Sequence, residues 1–338
     1  MLKIQENILL APYTTFKIGG EARYFAVIES VEDLREAVNF AKQNSQDIFI
    51  LGGGSNLLIS DDGFVGLVLK MEIKGISWGD EGSENGKVEI IAGAGEVMDD
   101  LIAQGTEKKL WGLENLSAIP GTVGASAVQN TGAFGVESQD LISWVEIFDL
   151  ESGELKKLDN KDCAFSYRNS IFKKKKDWVV LKVAFSLTRE RNLNLNYPKL
   201  GDFEIREDTS SLDVRKTIIE IRKKGSPLKD GLGSAGCFFK NPVISQIEFQ
   251  KLQQKFPEMP FFAEGENIKI PVAWFLDKQF AWKGYSEGDV GVYNKHALML
   301  VNKGNGKCED IKKLADKMSK DLLEKTGLQL ESEVVFLS

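Results

Sequence analysis

The alternation of apolar and polar positions gives the first outline of the chain. Residues 31–41 (VEDLREAVNFA) carry apolar side chains at helical spacing, and residues 47–51 (DIFIL) form a short apolar run ending in three glycines. The spacing predicts a helix, a strand and a glycine turn. Residues 67–69 and 88–91 read as further strands, and residues 77–87 between them, rich in Gly, Asp, Glu and Ser, as an exposed loop. Short strands and glycine turns dominate as far as Val136. From 142 to 186 several runs alternate, notably 144–148 and 178–181, and the lysines 173–176 are most simply a solvated turn.

The pattern changes after Asp213. DVRKTIIEIRKK is helical, a glycine-rich stretch follows, and residues 245–255 form another amphipathic helix. A last helix aligns Ile311, Leu314, Ala315, Met318 and Leu322, stops at Gly327, and leads into a terminal strand at 333–337. At 338 residues the chain exceeds what one core usually organises, about 250 to 300 residues, so at least two domains are expected, with a boundary near 215.

Composition narrows the function classes. Hydrophobic residues make up 42%, charged residues 28%, and no apolar run approaches the roughly 20 residues of a membrane span. The N-terminal MLKIQENILLAPYTT lacks a secretory signal, and Cys163, Cys237 and Cys308 are an odd, scattered set; both favour a reducing cytoplasm. A net charge of -7 argues against generic nucleic-acid or anionic-lipid binding. A single His excludes His-rich metal centres, and no metal is expected.

Two glycine segments are the candidates for chemistry. Leu51-Gly52-Gly53-Gly54-Ser55-Asn56-Leu57 follows a strand, and its glycines let backbone N–H groups cradle an anion such as a pyrophosphate. It lacks the Gly-x-Gly-x-x-Gly spacing before a helix, because residues 56–59 continue as a strand; in isolation it is a structural turn. The second segment runs from Gly112 through Asn115, Ile119, Pro120, Gly121, Gly124 and Ser126 to Gly132 and Gly135. Its small side chains suit backbone packed against a flat cofactor.

Together these segments resemble the flavin-binding core of vanillyl-alcohol oxidase-type flavoproteins. With Thr15-Phe16-Lys17-Ile18-Gly19-Gly20, Tyr167-Arg168-Asn169-Ser170-Ile171-Phe172-Lys173, Gly236-Cys237-Phe238-Phe239-Lys240-Asn241-Pro242 and Glu331-Ser332-Glu333-Val334-Val335-Phe336, the resemblance narrows to the UDP-N-acetylenolpyruvoylglucosamine reductase family and covers nearly the whole chain. It implies an α+β fold. Residues 1–70, joined by the terminal strand 330–338, and residues 71–215 would form a two-part FAD-binding region, and 216–329 a C-terminal α+β substrate-binding domain. It also implies NADPH-dependent reduction of UDP-N-acetylglucosamine enolpyruvate to UDP-N-acetylmuramate in peptidoglycan precursor synthesis. NADPH would reduce the flavin and leave before the enolpyruvyl sugar enters, and the enzyme would act as a monomer.

The resemblance also assigns residues. It makes Gly52, Gly53, Gly54, Ser55, Asn56, Leu57, Asn115, Ile119, Pro120, Gly121, Gly124, Ser126 and Gly132 cofactor-binding. Arg168 would stabilise the enolate-like intermediate at the substrate carboxylate, although an arginine beside Tyr167 would by itself more often be an ion-pair residue. Glu333 matches the family's second catalytic residue; by pattern alone it is an edge-strand glutamate facing water. Cys237 stands where the family usually has Ser, and its thiol, with an ordinary pKa near ~8.5, can donate the proton; a free Cys is otherwise most often a small buried hydrophobe. Tyr197, Arg222, Asn241 and Lys283 match positions facing the nucleotide sugar, and His296 either hydrogen-bonds substrate or caps a strand. The family's basic residue ahead of the helix-terminating proline is replaced by Gly225, with Lys224 one step upstream. The rival readings are another oxidase or dehydrogenase of the same superfamily and a non-catalytic nucleotide-binding protein.

Overall fold

The computed structural model describes residues 2–79, 86–194, 200, 203 and 206–338. The chain divides into two compact units, one of Met1–Ile8, Ala22–Gly53 and Val65–Lys224, the other of Leu9–Glu21, Gly54–Phe64 and Gly225–Ser338. Helices and sheets occur in both, as an α+β fold requires.

The first unit holds two sheets. A four-stranded one is ordered Gln5–Leu9, Glu21–Ile28, Phe64–Met71, Ile48–Leu51, the last two parallel with Ile48 opposite Leu67. The helix Val31–Gln43 starts at Ser30, whose hydroxyl accepts the Asp33 N–H. It buries Leu34, Ala37, Val38 and Ala41 with Ala26, Ile28, Leu67 and Leu69. The second sheet is antiparallel, ordered Leu155–Asp159, Ile142–Asp149, Trp178–Thr188, Lys87–Gly93, Ile76–Trp78.

Two helices cover that second sheet, Met98–Glu107 and Val123–Gln129, packing Met98, Leu101, Ile102, Val123 and Ala127 against Ile90, Val145, Val183 and Phe185. Each Val, Leu, Ile, Met or Phe among them contributes roughly 1.5–3 kcal/mol on burial. These helices correct the reading of short strands as far as Val136. The segment is Gly- and Ala-rich, and Val97, the residue before Met98–Glu107, supplies no side-chain cap. The loop read from Ser77 is also corrected at its start, because Ile76–Trp78 pairs with Ile90–Ala92.

The second unit is built around Cys308–Thr326, which ends as expected at Gly327 in the left-handed region, φ 77°. Its Ile311, Leu314, Met318 and Leu322 bury with Phe16, Phe238, Phe239, Phe275 and Leu276. The terminal strand Val335–Leu337 runs parallel to Leu57–Ile59, in register Val335–Leu57. Among the described residues no helix is long and apolar enough to cross a membrane.

Candidate active site

In the first unit the two glycine segments meet. A Cβ built on Gly53 would lie 2.8 Å from the Gly121 Cα, and one on Gly52 would lie 3.1 Å from the Thr122 hydroxyl. The turn after Ile48–Leu51 is thus pressed against the start of the helix Val123–Gln129, where Thr122 caps and accepts the Ala125 N–H. Gly54, the next residue and the first of its stretch of the second unit, sits at φ 64°, where a Cβ would be 1.9 Å from the Tyr13 carbonyl of that same unit. Gly124 packs on Ala94, and the Ser126 hydroxyl is engaged by the Val123 carbonyl at 2.7 Å.

Asn115 is 1% exposed. Its Nδ2 donates to the carbonyls of Phe134 and Asn194, both at 2.9 Å, whereas its Oδ1 has no partner among the described residues. A buried acceptor left in that state costs about 1–3 kcal/mol. A ligand with an N–H donor relieves it, and a flavin ring has one; the backbone cradle suits the pyrophosphate of the same dinucleotide. The residues present therefore fit FAD.

Neighbouring carboxylates hold the second segment in shape. Glu114 is buried and accepts the Gly112 N–H at 2.6 Å; burial pushes its carboxyl up to about 7. Asp99 accepts the N–H of Ala118, itself at φ 57°, at 2.6 Å, and takes a bidentate pair from Arg215 at 2.5 and 3.0 Å. Burial opposes charge on Asp99, but the hydrogen bonds from Arg215 and the Ala118 N–H prevail and its carboxyl lies below the usual range. Neither residue was singled out from sequence.

Arg168 also sits in the left-handed region, φ 53°, inside a turn closed by reciprocal Ser166–Asn169 backbone hydrogen bonds of 3.0 Å. Its Nη2 donates to the Gly132 carbonyl at 2.9 Å, and its own carbonyl accepts from Lys173 Nζ at 2.7 Å. Lys173 is half-buried at the end of a short helix, Ile171–Lys174, which corrects its reading as a solvated turn residue. Arg222 lies 5.2 Å from the Phe134 ring centroid. Lys224 is exposed, and Tyr197 lies outside the described residues.

In the second unit Cys237 begins an extended segment held on both edges. Cys237 pairs with Met299, and the Phe238 N–H donates to the Leu298 carbonyl at 2.7 Å. On the other edge the Glu333 N–H donates to the Phe238 carbonyl at 2.8 Å, and Lys240 ion-pairs with Glu331. Asn56 ties the same strand in, donating through Nδ2 to the Glu333 carbonyl at 3.0 Å while its carbonyl accepts the Val335 N–H. Asn56, Cys237 and Glu333 are thereby brought onto one small array, with Glu333 half-buried rather than fully in water.

The remaining candidates of this unit have local partners. His296 Nδ1 accepts the Leu298 N–H at 3.3 Å, capping the turn before Leu300–Asn302. Asn241 Oδ1 accepts the Val272 N–H at 3.1 Å, and Lys283 pairs with Asp277 at 2.6 Å.

Comparison with known proteins bears directly on this arrangement. Residues 226–337 match the UDP-N-acetylenolpyruvoylglucosamine reductase C-terminal domain, and residues 22–159 match an FAD binding domain. The chain is 38% identical over 338 residues to the UDP-N-acetylenolpyruvoylglucosamine reductase of Pseudomonas aeruginosa, covering 98% of each chain. The chain belongs to the UDP-N-acetylenolpyruvoylglucosamine reductase family. The reductase of Neisseria meningitidis is likewise 38% identical, over 340 residues, covering 98% of this chain and 97% of the relative. The crystal structure of the family member from Thermus caldophilus covers 100% of both chains with a TM-score of 0.70 at 24% identity, a likeness of fold.

Proposed function

We propose that this chain reduces the enolpyruvyl ether of UDP-N-acetylglucosamine enolpyruvate to UDP-N-acetylmuramate, with FAD bound in the first unit and NADPH as hydride source. The full-length relationship to reductases of this family carries the reading. The glycine cradle of Gly52, Gly53 and Gly121 and the buried Oδ1 of Asn115 support FAD as the bound group. FAD, when bound, supplies two-electron hydride transfer from nicotinamide to the methylene carbon of the enolpyruvyl group.

The protein's own groups supply charge and proton. As hydride adds to the methylene carbon, electron density moves onto the adjoining carboxylate, and Arg168 pairs with it through a planar guanidinium. Its turn is fixed by Lys173 and by the Ser166–Asn169 hydrogen bonds, so little reorganisation is needed. Cys237 delivers its Sγ proton to the second alkene carbon, and the resulting thiolate recovers a proton from solvent. Glu333, on the strand beside Cys237, orients the enolpyruvyl group by hydrogen bonding.

Arg222, Asn241, Lys283, His296 and Tyr197 hold the nucleotide sugar in this reading. Lys283 already pairs with Asp277, so a diphosphate would share that ammonium with the carboxylate. Cys163, Cys237 and Cys308 form no disulfide among the described residues, which suits a reducing cytoplasm. Steady-state turnover tests the assignment: NADPH oxidation that depends on the enolpyruvyl sugar and gives parallel double-reciprocal lines supports it, and NADPH oxidation indifferent to that sugar removes it.

A further inference from the structure

Arg168 lies beside a buried hydrogen-bonded group at the end of the helix Val123–Gln129. The helix Val123–Gln129 ends at Asn130, fully buried and left-handed at φ 45°. Among the described residues its side chain makes three hydrogen bonds. Its Nδ2 donates to Glu137 Oε2 at 2.8 Å and to the Ser166 carbonyl at 3.0 Å, and its Oδ1 accepts the Gln139 N–H at 3.0 Å. The Ser166 carbonyl belongs to the turn that carries Arg168.

Glu137 closes the other side. It lies opposite Gly132 in the two-stranded pairing of Gly132–Ala133 with Val136–Glu137, and the Gly132 carbonyl accepts Arg168 Nη2. A Cβ placed on Gly132 would lie 2.8 Å from Glu137 Cγ and 3.1 Å from Arg168 Nη1, so the carboxylate arm and the guanidinium share the same face of that glycine. Gln139 Nε2 and Asn130 both donate to Glu137 Oε2, each at 2.8 Å, and so fix the carboxylate. One buried amide therefore restrains both supports of Arg168: the turn behind it and the glycine strand in front.

We propose that Asn130 and Glu137 are positioning residues for Arg168, acting on the step in which the substrate carboxylate takes up charge. The proposal rests on the role of Arg168 given above. A displacement of about 1 Å at such a group can cost about 10²-fold in rate, whereas reduction of the flavin by NADPH does not use the carboxylate clamp.

Anaerobic stopped-flow kinetics separate the two half-reactions. In Asn130→Gly, which keeps the left-handed backbone but removes the amide, flavin reduction by NADPH should proceed at the wild-type rate while reoxidation by UDP-N-acetylglucosamine enolpyruvate slows by about 10²-fold. The isosteric Glu137→Gln should act in the same direction and serves if the glycine variant does not fold. In an Arg168→Ala background neither change should slow reoxidation further, because their effect passes through the missing guanidinium. Equal slowing of both half-reactions, or the same added loss without Arg168, would mean a merely structural role and overturn the proposal. Reoxidation slowed by Arg168→Ala but untouched by both other variants overturns it alone; reoxidation untouched by Arg168→Ala overturns the reading of Arg168 and this proposal together.

Discussion

The main-chain N–H of Glu333 donates to the carbonyl of Phe238 at 2.8 Å, which places the terminal strand directly beside the residue that follows Cys237. Two motifs almost a hundred residues apart in sequence are one structural element. The Glu333 carboxylate and the Cys237 thiol are thus presented by neighbouring backbones, and Asn56 pins the glutamate's own carbonyl from the glycine turn.

That relationship predicts a local role for Glu333. Glu333→Ala removes the carboxylate that orients the enolpyruvyl group, so reoxidation of reduced flavin by the enolpyruvyl sugar should slow by about 10²-fold, with unfolding midpoints unchanged. Single-turnover absorbance together with denaturant unfolding checks this; a loss of stability without a kinetic change would make Glu333 a structural residue.

The glycine cradle predicts cofactor loss without unfolding. In Gly53→Ala the new methyl would sit 2.8 Å from the Gly121 Cα, and backbone must shift. The purified variant should carry substoichiometric FAD, read from the ratio of flavin to protein absorbance, with an unchanged far-ultraviolet circular dichroism spectrum. Full FAD content would show that the two segments tolerate separation.

Glu114 predicts a pH signature. Its carboxyl is raised from 4.5 to about 7 by burial, so between those values the folded chain holds a proton the unfolded chain has released. Stability therefore falls as pH rises from about 4.5 to about 7 and levels off above. The shift corresponds to an order of about 3 kcal/mol. Glu114→Gln should flatten this dependence, so that urea unfolding at pH 5 and pH 8 shows wild type losing stability relative to the variant. Parallel profiles would contradict the buried, protonated carboxyl.

The half-buried pair of Asp99 and Arg215 predicts a further cofactor effect. Asp99 holds the left-handed Ala118 ahead of Ile119, Pro120 and Gly121, and Arg215 fixes Asp99 bidentately. Arg215→Lys keeps the charge but not the fork, and FAD affinity should fall about tenfold, a change of about 1.4 kcal/mol. Flavin fluorescence titration of the apoprotein measures it, and an unchanged dissociation constant would detach this pair from the cofactor segment.

Much of this was legible in the chain, for reasons that differ by element. The helix Val31–Gln43 announces itself by period, and the helix Cys308–Thr326 by period and by its stop at Gly327. The helices Met98–Glu107 and Val123–Gln129 do not, because Gly and Ala dilute the period inside a stretch that looks like turns. The family was readable from ordered motifs, and those motifs named Arg168, Cys237 and Glu333. What holds Arg168 was hidden. Asn130 and Glu137 act through contacts 36 and 7 residues away, and a left-handed asparagine has no sequence period. Lys173 looked like one of four solvated lysines, and only its bond to the Arg168 carbonyl sets it apart.

The most direct test reduces the FAD-bound enzyme anaerobically with NADPH, adds UDP-N-acetylglucosamine enolpyruvate, and follows flavin reoxidation in wild type, Cys237→Ala and Cys237→Ser. Rapid reoxidation in wild type, a stall in the alanine variant and recovery with serine is the predicted result, since a thiol or a hydroxyl can donate the proton and a methyl cannot. Reduced flavin that the enolpyruvyl sugar leaves untouched in wild type would contradict the proposed reaction, and an alanine variant as fast as wild type would contradict Cys237 as its acid.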